Sequence, residues 1–267
     1  MSKVINALTI AGSDSSGGAG IQADIKSFSA NGVFGMSIIT AITAQNTQGV
    51  FGIMDVTPEI IEKQIDVIFD DIKVDAIKIG MVSKIESIEA ISRALRRANK
   101  LPQIVLDPVM ISKSGFNLLS RDAKDSLVKN LIPLATLITP NLPEAEELLN
   151  REIHTLDDMK KAAIDIKKMG AKYVLIKGGH LEGEATDLLY DGENFEIFEE
   201  KRINTKHTHG TGCTLSSAIT ANLAKGMNIV DAVKEGKKYI TEAIKHGFKL
   251  GKGVGPTHHF YKFYEVE

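Results

Sequence analysis

The sequence predicts an α/β fold with a mainly parallel central sheet and helices packed on its faces. Two observations carry this prediction. Short apolar runs rich in β-branched residues recur along the chain, and longer segments with helical periodicity lie between them. In such sheets ligands sit at the carboxyl ends of the strands, where loops lead into helices. Chemistry is therefore expected just after each apolar run.

The first strand is Ala7–Ala11 and the first helix Gly20–Asn31. The loop between them, Gly12-Ser-Asp-Ser-Ser-Gly-Gly-Ala-Gly20, has four glycines in nine residues. That is more than a helix cap needs, and it allows close backbone approach to a polar small molecule. The loop fits neither the phosphate loop ending in Gly-Lys-Ser/Thr nor the dinucleotide fingerprint in its register. The next strand, Ser37–Thr43, leads into Ala44-Gln-Asn-Thr-Gln48. Gln45 there offers both a donor and an acceptor, which suits the edge of an aminopyrimidine ring, and a plain polar turn is the equal alternative. Helix Pro58–Asp70, strand Ala76–Ile79 and helix Ile85–Asn99 follow.

Strand Ile104–Leu106 delivers Asp107-Pro-Val-Met110, a carboxylate at a strand end beside a proline, placed to meet Mg²⁺ or a phosphate-bound water. Ser112-Lys-Ser-Gly115 and Phe116 have the composition of a mobile loop. Helix Arg121–Leu131 and strand Leu134–Ile138 lead to Thr139-Pro-Asn-Leu-Pro-Glu-Ala-Glu146. Asn141 and Glu144 are three residues apart at the start of helix Pro143–Leu149, a spacing shared by Mg²⁺-side oxygens and by an ordinary capping pair. Taken alone, the cap is favoured. After helix Leu156–Met169, strand Tyr173–Ile176 ends in Lys177-Gly-Gly-His180, where the lysine can neutralise nucleotide phosphate and the histidine is given no role.

Leu188–Tyr190 and Phe195–Phe198 flank Asp191-Gly192-Glu193-Asn194 as a β-hairpin. His209-Gly-Thr-Gly-Cys-Thr-Leu-Ser-Ser217 then opens a helix over Thr214–Ala224, followed by Ile229–Gly247. A helix start carries about +0.5 elementary charge and free amides, and Gly210, Thr211 and Gly212 let a phosphoryl group reach them. At that end Cys213 is expected to have a stabilised thiolate. Gly253-Val-Gly-Pro-Thr-His-His259 reads as an ordered loop after the last helix.

The chain has 267 residues, 43% hydrophobic and 25% charged, and a formal net charge of -2. One domain over residues 1–267 is expected, with no basic stripe for nucleic acid and no membrane anchor. The single cysteine excludes an intramolecular disulfide. With no signal-peptide pattern at the start, a cytoplasmic location is the expectation.

Together the segments resemble the ribokinase-like superfamily, and within it the hydroxymethylpyrimidine/phosphomethylpyrimidine kinases of thiamine biosynthesis. The resemblance is carried by Thr9–Asp24, Ala44–Thr47, Lys78-Ile-Gly-Met81, Asp107–Met110, Thr139–Glu144, Lys177–His180, His209–Thr214 and Val254–His259, in that order and spacing. It implies a three-layer α/β/α sandwich, ATP with Mg²⁺, a small-molecule substrate and a homodimer. By the same resemblance Gly12, Asp24, Gln45 and Met81 bind the pyrimidine, and Asp107, Asn141, Glu144, Lys177 and Thr211 handle nucleotide phosphates. Asp107 and Glu144 reach the metal through water, and Gly210 and Gly212 form the anion hole. Sugar kinases of the superfamily carry an aspartate where this chain has Cys213, which becomes the base or an orienter of the substrate. The neighbouring reading is a pyridoxine/pyridoxal kinase. A non-catalytic sensor would have lost the anion hole or the carboxylates, and a dinucleotide oxidoreductase fails on the glycine pattern.

Overall fold

A computed structural model describes residues 4–266, apart from residues 112–114, 116–117, 121 and 180–182. The expected mobile segment at Ser112–Phe116, Gly115 excepted, and His180 lie outside the described residues.

The strands are β1 (Asn6–Asp14), β2 (Phe34–Asn46), β3 (Gly49–Asp55), β4 (Ala76–Ile79), β5 (Gln103–Leu106), β6 (Leu137–Ile138), β7 (Tyr173–Gly178), β8 (Ala185–Tyr190) and β9 (Phe195–Glu200). They form one sheet in the order β3-β2-β1-β4-β5-β6-β7-β8-β9. The strands from β2 through β7 are parallel, and β3, β8 and β9 add antiparallel margins. The helices are α1 (Gly20–Ala30), α2 (Pro58–Asp71), α3 (Ile85–Arg96), α4 (Ala123–Asn130), α5 (Leu142–Leu149), α6 (Leu156–Lys168), α7 (Thr211–Ala224) and α8 (Ile229–Lys245).

Because strand side chains alternate, the parallel strands send apolar residues to both faces, and both faces are covered. Ile77 and Ile79, Ile104 and Leu106, and Val174 and Ile176 pack with Ile61 of α2, Ile91 of α3, Leu127 of α4, Ala145 of α5 and Ile166 of α6. The intervening Val105, Leu137 and Leu175 meet Leu215 and Ile219 of α7 and Ile240 of α8, while Phe28 of α1 meets Ala221. These are the three expected layers. Burying each large aliphatic side chain stabilises the fold by about 1.5–3 kcal/mol.

Besides shifts of a few residues at other element ends, four differences from the sequence expectation have a physical reason. β1 continues through Asp14, so the front of the glycine-rich loop is strand. β3, with two glycines in seven residues, has too weak a strand signal to be anticipated, yet it pairs with β2. Leu134 belongs to a 3₁₀ turn over Ile132–Leu134 rather than to β6, because Pro133 has no amide hydrogen and its fixed φ favours the turn. α7 begins at Thr211, earlier than expected, because Gly210 at φ 77 turns the chain directly into the helix. Among the described residues no helix is long and apolar enough to cross a membrane.

Candidate active site

The loops at the carboxyl ends of β1, β2, β4, β5, β6 and β7 meet the start of α7 around one cavity of about 610 Å³. Gly12, Gln45, Met81, Asp107, Asn141, Glu144, Lys177, Gly210, Thr211, Gly212 and Cys213 all line it. Of the residues expected there, Asp24 does not.

One wall comes from β1, β2 and Met81, two residues after β4. Gly12 lies against Met81, and a Cβ at Gly12 would stand 3.0 Å from the Met81 sulfur. Gln45 follows at the end of β2, beside His209. His209 Nε2 is 2.9 Å from Oδ2 of Asp14, and the same carboxylate accepts from the amides of Ser16, Gly18 and Ala19. Burial raises the Asp14 pKa, but the hydrogen bonds from His209 and Ser16 prevail and hold it below the usual value. Asp14 therefore ties the glycine-rich loop to the segment that opens α7. Two glycines make this approach possible: a Cβ at Gly18 would fall 2.2 Å from the His209 ring, and one at Gly210 would fall 1.7 Å from the Gly18 carbonyl.

The second wall is the start of α7. Gly210 precedes the helix, and Thr211 donates its hydroxyl back to the Thr208 carbonyl. The amides of the first turn have no partner within the helix, that of Thr211 reaching back to the Thr208 carbonyl, which is the arrangement that suits an anion at a helix start. Gly212 faces Lys177 and Asp107, where an added Cβ would stand 3.4 Å from the ammonium. The stabilised thiolate expected at Cys213 is not what this environment provides. Burial pushes the thiol up to about 11 and outweighs the nearby Lys78 charge, so it stays protonated near neutrality.

The third wall is charged. Lys177, at the end of β7, is 2.8 Å from Asp107 and 4.0 Å from Glu144. Asp107 also accepts from Thr139. Its burial is outweighed by Lys177 and Lys78, so its pKa is lowered. Glu144 is pushed up to about 7 by burial, with Lys177 opposing and Asp107 reinforcing. Asn141 and Glu144 do form the capping box, each side chain bonded to the other's backbone amide. The cap and the place on the cavity wall are therefore one arrangement. Among the described residues no group of three His, Cys, Asp or Glu side chains is placed to hold a metal ion.

Asp24 was expected to touch the pyrimidine, but it is fully buried beneath the site. It is paired with the equally buried Lys78 at 2.9 Å and bonded to Thr9 and Ser217. It faces inward from the second turn of α1, where that helix packs on the sheet and α7. The sequence reading missed three residues. Asp14 and His209 lie inside the quoted motifs, but their link spans 195 positions and leaves no local signal. Lys78 was quoted only as part of a motif, since a lysine in an apolar strand gives no hint of its partner. The Gly253–His259 loop is ordered as expected: His209 donates its amide to Gly255, and His259 Nε2 is 3.0 Å from the Thr214 hydroxyl.

A doubly covered parallel sheet that brings a helix start, a lysine and two buried carboxylates to one cavity has the parts that a small-molecule phosphotransferase needs. The chain belongs to the phosphomethylpyrimidine kinase family, whose model matches residues 14–258. It is 51% identical to the hydroxymethylpyrimidine/phosphomethylpyrimidine kinase of Rhizobium meliloti, over 97% of this chain and 98% of that one. The crystal structure of phosphomethylpyrimidine kinase from Clostridium difficile shares 55% identity with a TM-score of 0.81, covering 91% of this chain and all of that one. An ADP complex of Bacillus subtilis pyridoxal kinase shares 44% identity with a TM-score of 0.89, covering 96% and 98%.

Proposed function

We propose that this chain, acting as one kinase domain, transfers the γ-phosphoryl group of ATP to 4-amino-5-hydroxymethyl-2-methylpyrimidine, and then phosphorylates the monophosphate to the diphosphate. The observation that carries this reading is that one cavity is lined both by Gln45, whose amide can meet a ring edge, and by the helix start at Gly210–Cys213, whose amides can meet an anion. The names of the relatives support the substrate, and the ADP bound to the Bacillus subtilis relative supports the nucleotide.

Asp107 and Glu144 share the single ammonium of Lys177, so an ionised Glu144 leaves excess carboxylate, which fits a divalent cation. These two residues would hold Mg²⁺, through its waters, and the ion would offset phosphate charge when bound. The alcohol oxygen forms its bond to the γ-phosphorus as the bond to the ADP oxygen breaks, and the alcohol proton is released to solvent. Lys177 and the α7 amides receive the charge that spreads over the transferring group. Cys213, carrying its proton, orients the hydroxymethyl group, since a loose transfer needs little help from a base.

ATP consumption coupled to product mass, with the pyrimidine alcohol, its monophosphate and pyridoxine run in parallel, tests the reading. Turnover of the first two above pyridoxine is expected. Preference for pyridoxine would move the enzyme to vitamin B6 salvage, the second reading, which the likeness to pyridoxal kinase keeps in view.

The homodimer is proposed on the β2–β3 margin, where Phe51 and Met54 are 72% and 62% exposed on an edge strand open to pairing. Sedimentation of a Phe51→Glu variant should show a monomer where the parent shows a dimer, and a monomeric parent ends the idea. A cytoplasmic site of action fits a chain whose one cysteine is free.

A further inference from the structure

Thr43, Gln45, His209 and Asp14 form a hydrogen-bonded row along the ring-reading wall, and their donor and acceptor chemistry has one consistent solution. The Asp14 carboxylate is surrounded by donors, namely the amides of Ser16, Gly18 and Ala19 and the Ser16 hydroxyl. It therefore acts as an acceptor only. His209 Nε2, 2.9 Å from Oδ2, must carry a hydrogen and donate it. The same Nε2 lies 3.5 Å from the terminal Gln45 atom placed as nitrogen, and a half-turn of the amide exchanges that nitrogen with the oxygen. A nitrogen at that position would set donor against donor, whereas an oxygen can take a forked share of the one Nε2–H, whose main acceptor is Asp14 at 2.9 Å.

The other end of the amide gives the same answer. Its second terminal atom is 3.2 Å from the Thr43 hydroxyl, which is also 2.9 Å from the Ser13 carbonyl. A carbonyl only accepts, so the one hydroxyl hydrogen goes to Ser13. The Thr43 oxygen then offers lone pairs, and the amide nitrogen is the group that can use them.

We infer that His209, held by Asp14, and Thr43 lock the Gln45 amide with its oxygen toward the imidazole and its nitrogen toward the threonine, and that this lock selects aminopyrimidine over hydroxypyridine alcohols. The inference rests on the kinase reading above and adds two positioning residues to it. The flanks use one N–H and one lone pair of the amide, so its outer edge keeps one N–H beside one lone pair. An aminopyrimidine presents the complement, a ring-nitrogen acceptor next to an amino donor. A hydroxypyridine has no amino donor there, and only an amide free to turn could adapt to it. A site built around a fixed donor–acceptor pair rejects a ring that leaves either member unpaired.

The test is the ratio of kcat/KM for the aminopyrimidine alcohol to that for pyridoxine, measured in the parent, His209→Phe, Thr43→Val and Thr43→Ser. The ratio should fall about tenfold in His209→Phe and in Thr43→Val. Thr43→Ser, which keeps the hydroxyl, should retain the parent ratio. Thermal melting shows which variants fold, and if His209→Phe does not, the Thr43 pair decides alone. An unchanged ratio in folded Thr43→Val, or a Thr43→Ser ratio as low as that of Thr43→Val, overturns the lock. Failure of the parent to phosphorylate either alcohol is a different result, and it removes the kinase reading together with the inference.

Discussion

Replacing Glu144 with glutamine should stabilise the protein at alkaline pH while impairing phosphoryl transfer. Glu144 is 7% exposed, and burial lifts its carboxyl from 4.5 to about 7, with Lys177 opposing and Asp107 reinforcing. In the unfolded chain this proton is lost at the lower value. Between the two values the native state binds a proton that the unfolded state has released, so stability falls as pH rises through this window and levels off above about 7. The rise corresponds to roughly 3 kcal/mol at most, or about 6 °C in melting temperature for a chain of this size. Glutamine keeps an acceptor oxygen for the Asn141 amide, and Asn141 still caps residue 144, so the start of α5 survives. Melting curves of parent and Glu144→Gln between pH about 5 and about 8 isolate the effect, because the other titrating groups are common to both. The variant should gain on the parent as pH rises, and kinase assays at saturating Mg²⁺ should show its kcat reduced. Melting temperatures that run parallel across the whole range would refute the reasoning.

Gly210→Ala forces a Cβ to within 1.7 Å of the Gly18 carbonyl at φ 77, so it should cost more than about 3 kcal/mol. A parent-like melting temperature would contradict the close packing of the two loops. Gly212→Ala meets only Lys177 and Asp107 at 3.4 and 3.6 Å, so it should fold and show its defect as a raised KM for ATP. An unaltered KM would remove Gly212 from the phosphate cradle. With its thiol pushed up to about 11, Cys213 should contribute no inflection near pH 8.5, its ordinary value. Cys213→Ala should therefore lower kcat without changing the shape of the pH–rate profile, and loss of an inflection on substitution would restore the thiolate as base.

How much of this was legible depended on whether the signal was local. The alternation of apolar runs and helical periods conveyed the layers, because burial on both faces of a parallel sheet writes itself into each strand. Strand-end motifs conveyed the place of Gln45, Asp107 and Lys177 on the cavity, since topology brings the carboxyl ends of the parallel strands to one edge, and the glycines around Gly210–Cys213 marked a helix start. Asp24 was assigned to the wrong place because a helical carboxylate near a loop looks the same whether it faces ligand or core. Its burial depends on Lys78, 54 residues away, and Ser217, 193 away. The Cys213 expectation failed for a related reason. A helix start can be read from glycines, but the desolvation that prevails there comes from the surrounding packing.

The two lysines near the start of α7, proposed above as an anion hole, differ in exposure. Lys177 retains 13% of its side-chain surface and holds Asp107 through one oxygen, while Asp107 has further contacts from Thr139 and from Ser216 of α7. On the proposed reading, a phosphate that draws the ammonium away would not leave Asp107 bare. Lys78 is wholly buried and bonded to both oxygens of Asp24, which also holds the Ser217 hydroxyl of α7. Removing either partner would strand a buried charge, at a cost of about 3–5 kcal/mol, so this pair cannot open to bind ligand. Burial, which disqualifies Lys78 as a phosphate ligand, suits it to the other requirement of the anion hole proposed above. The first turns of α7 must hold their place against the sheet while charge builds up in front of them, because preorganised amides stabilise a transition state only if they need not move to meet it.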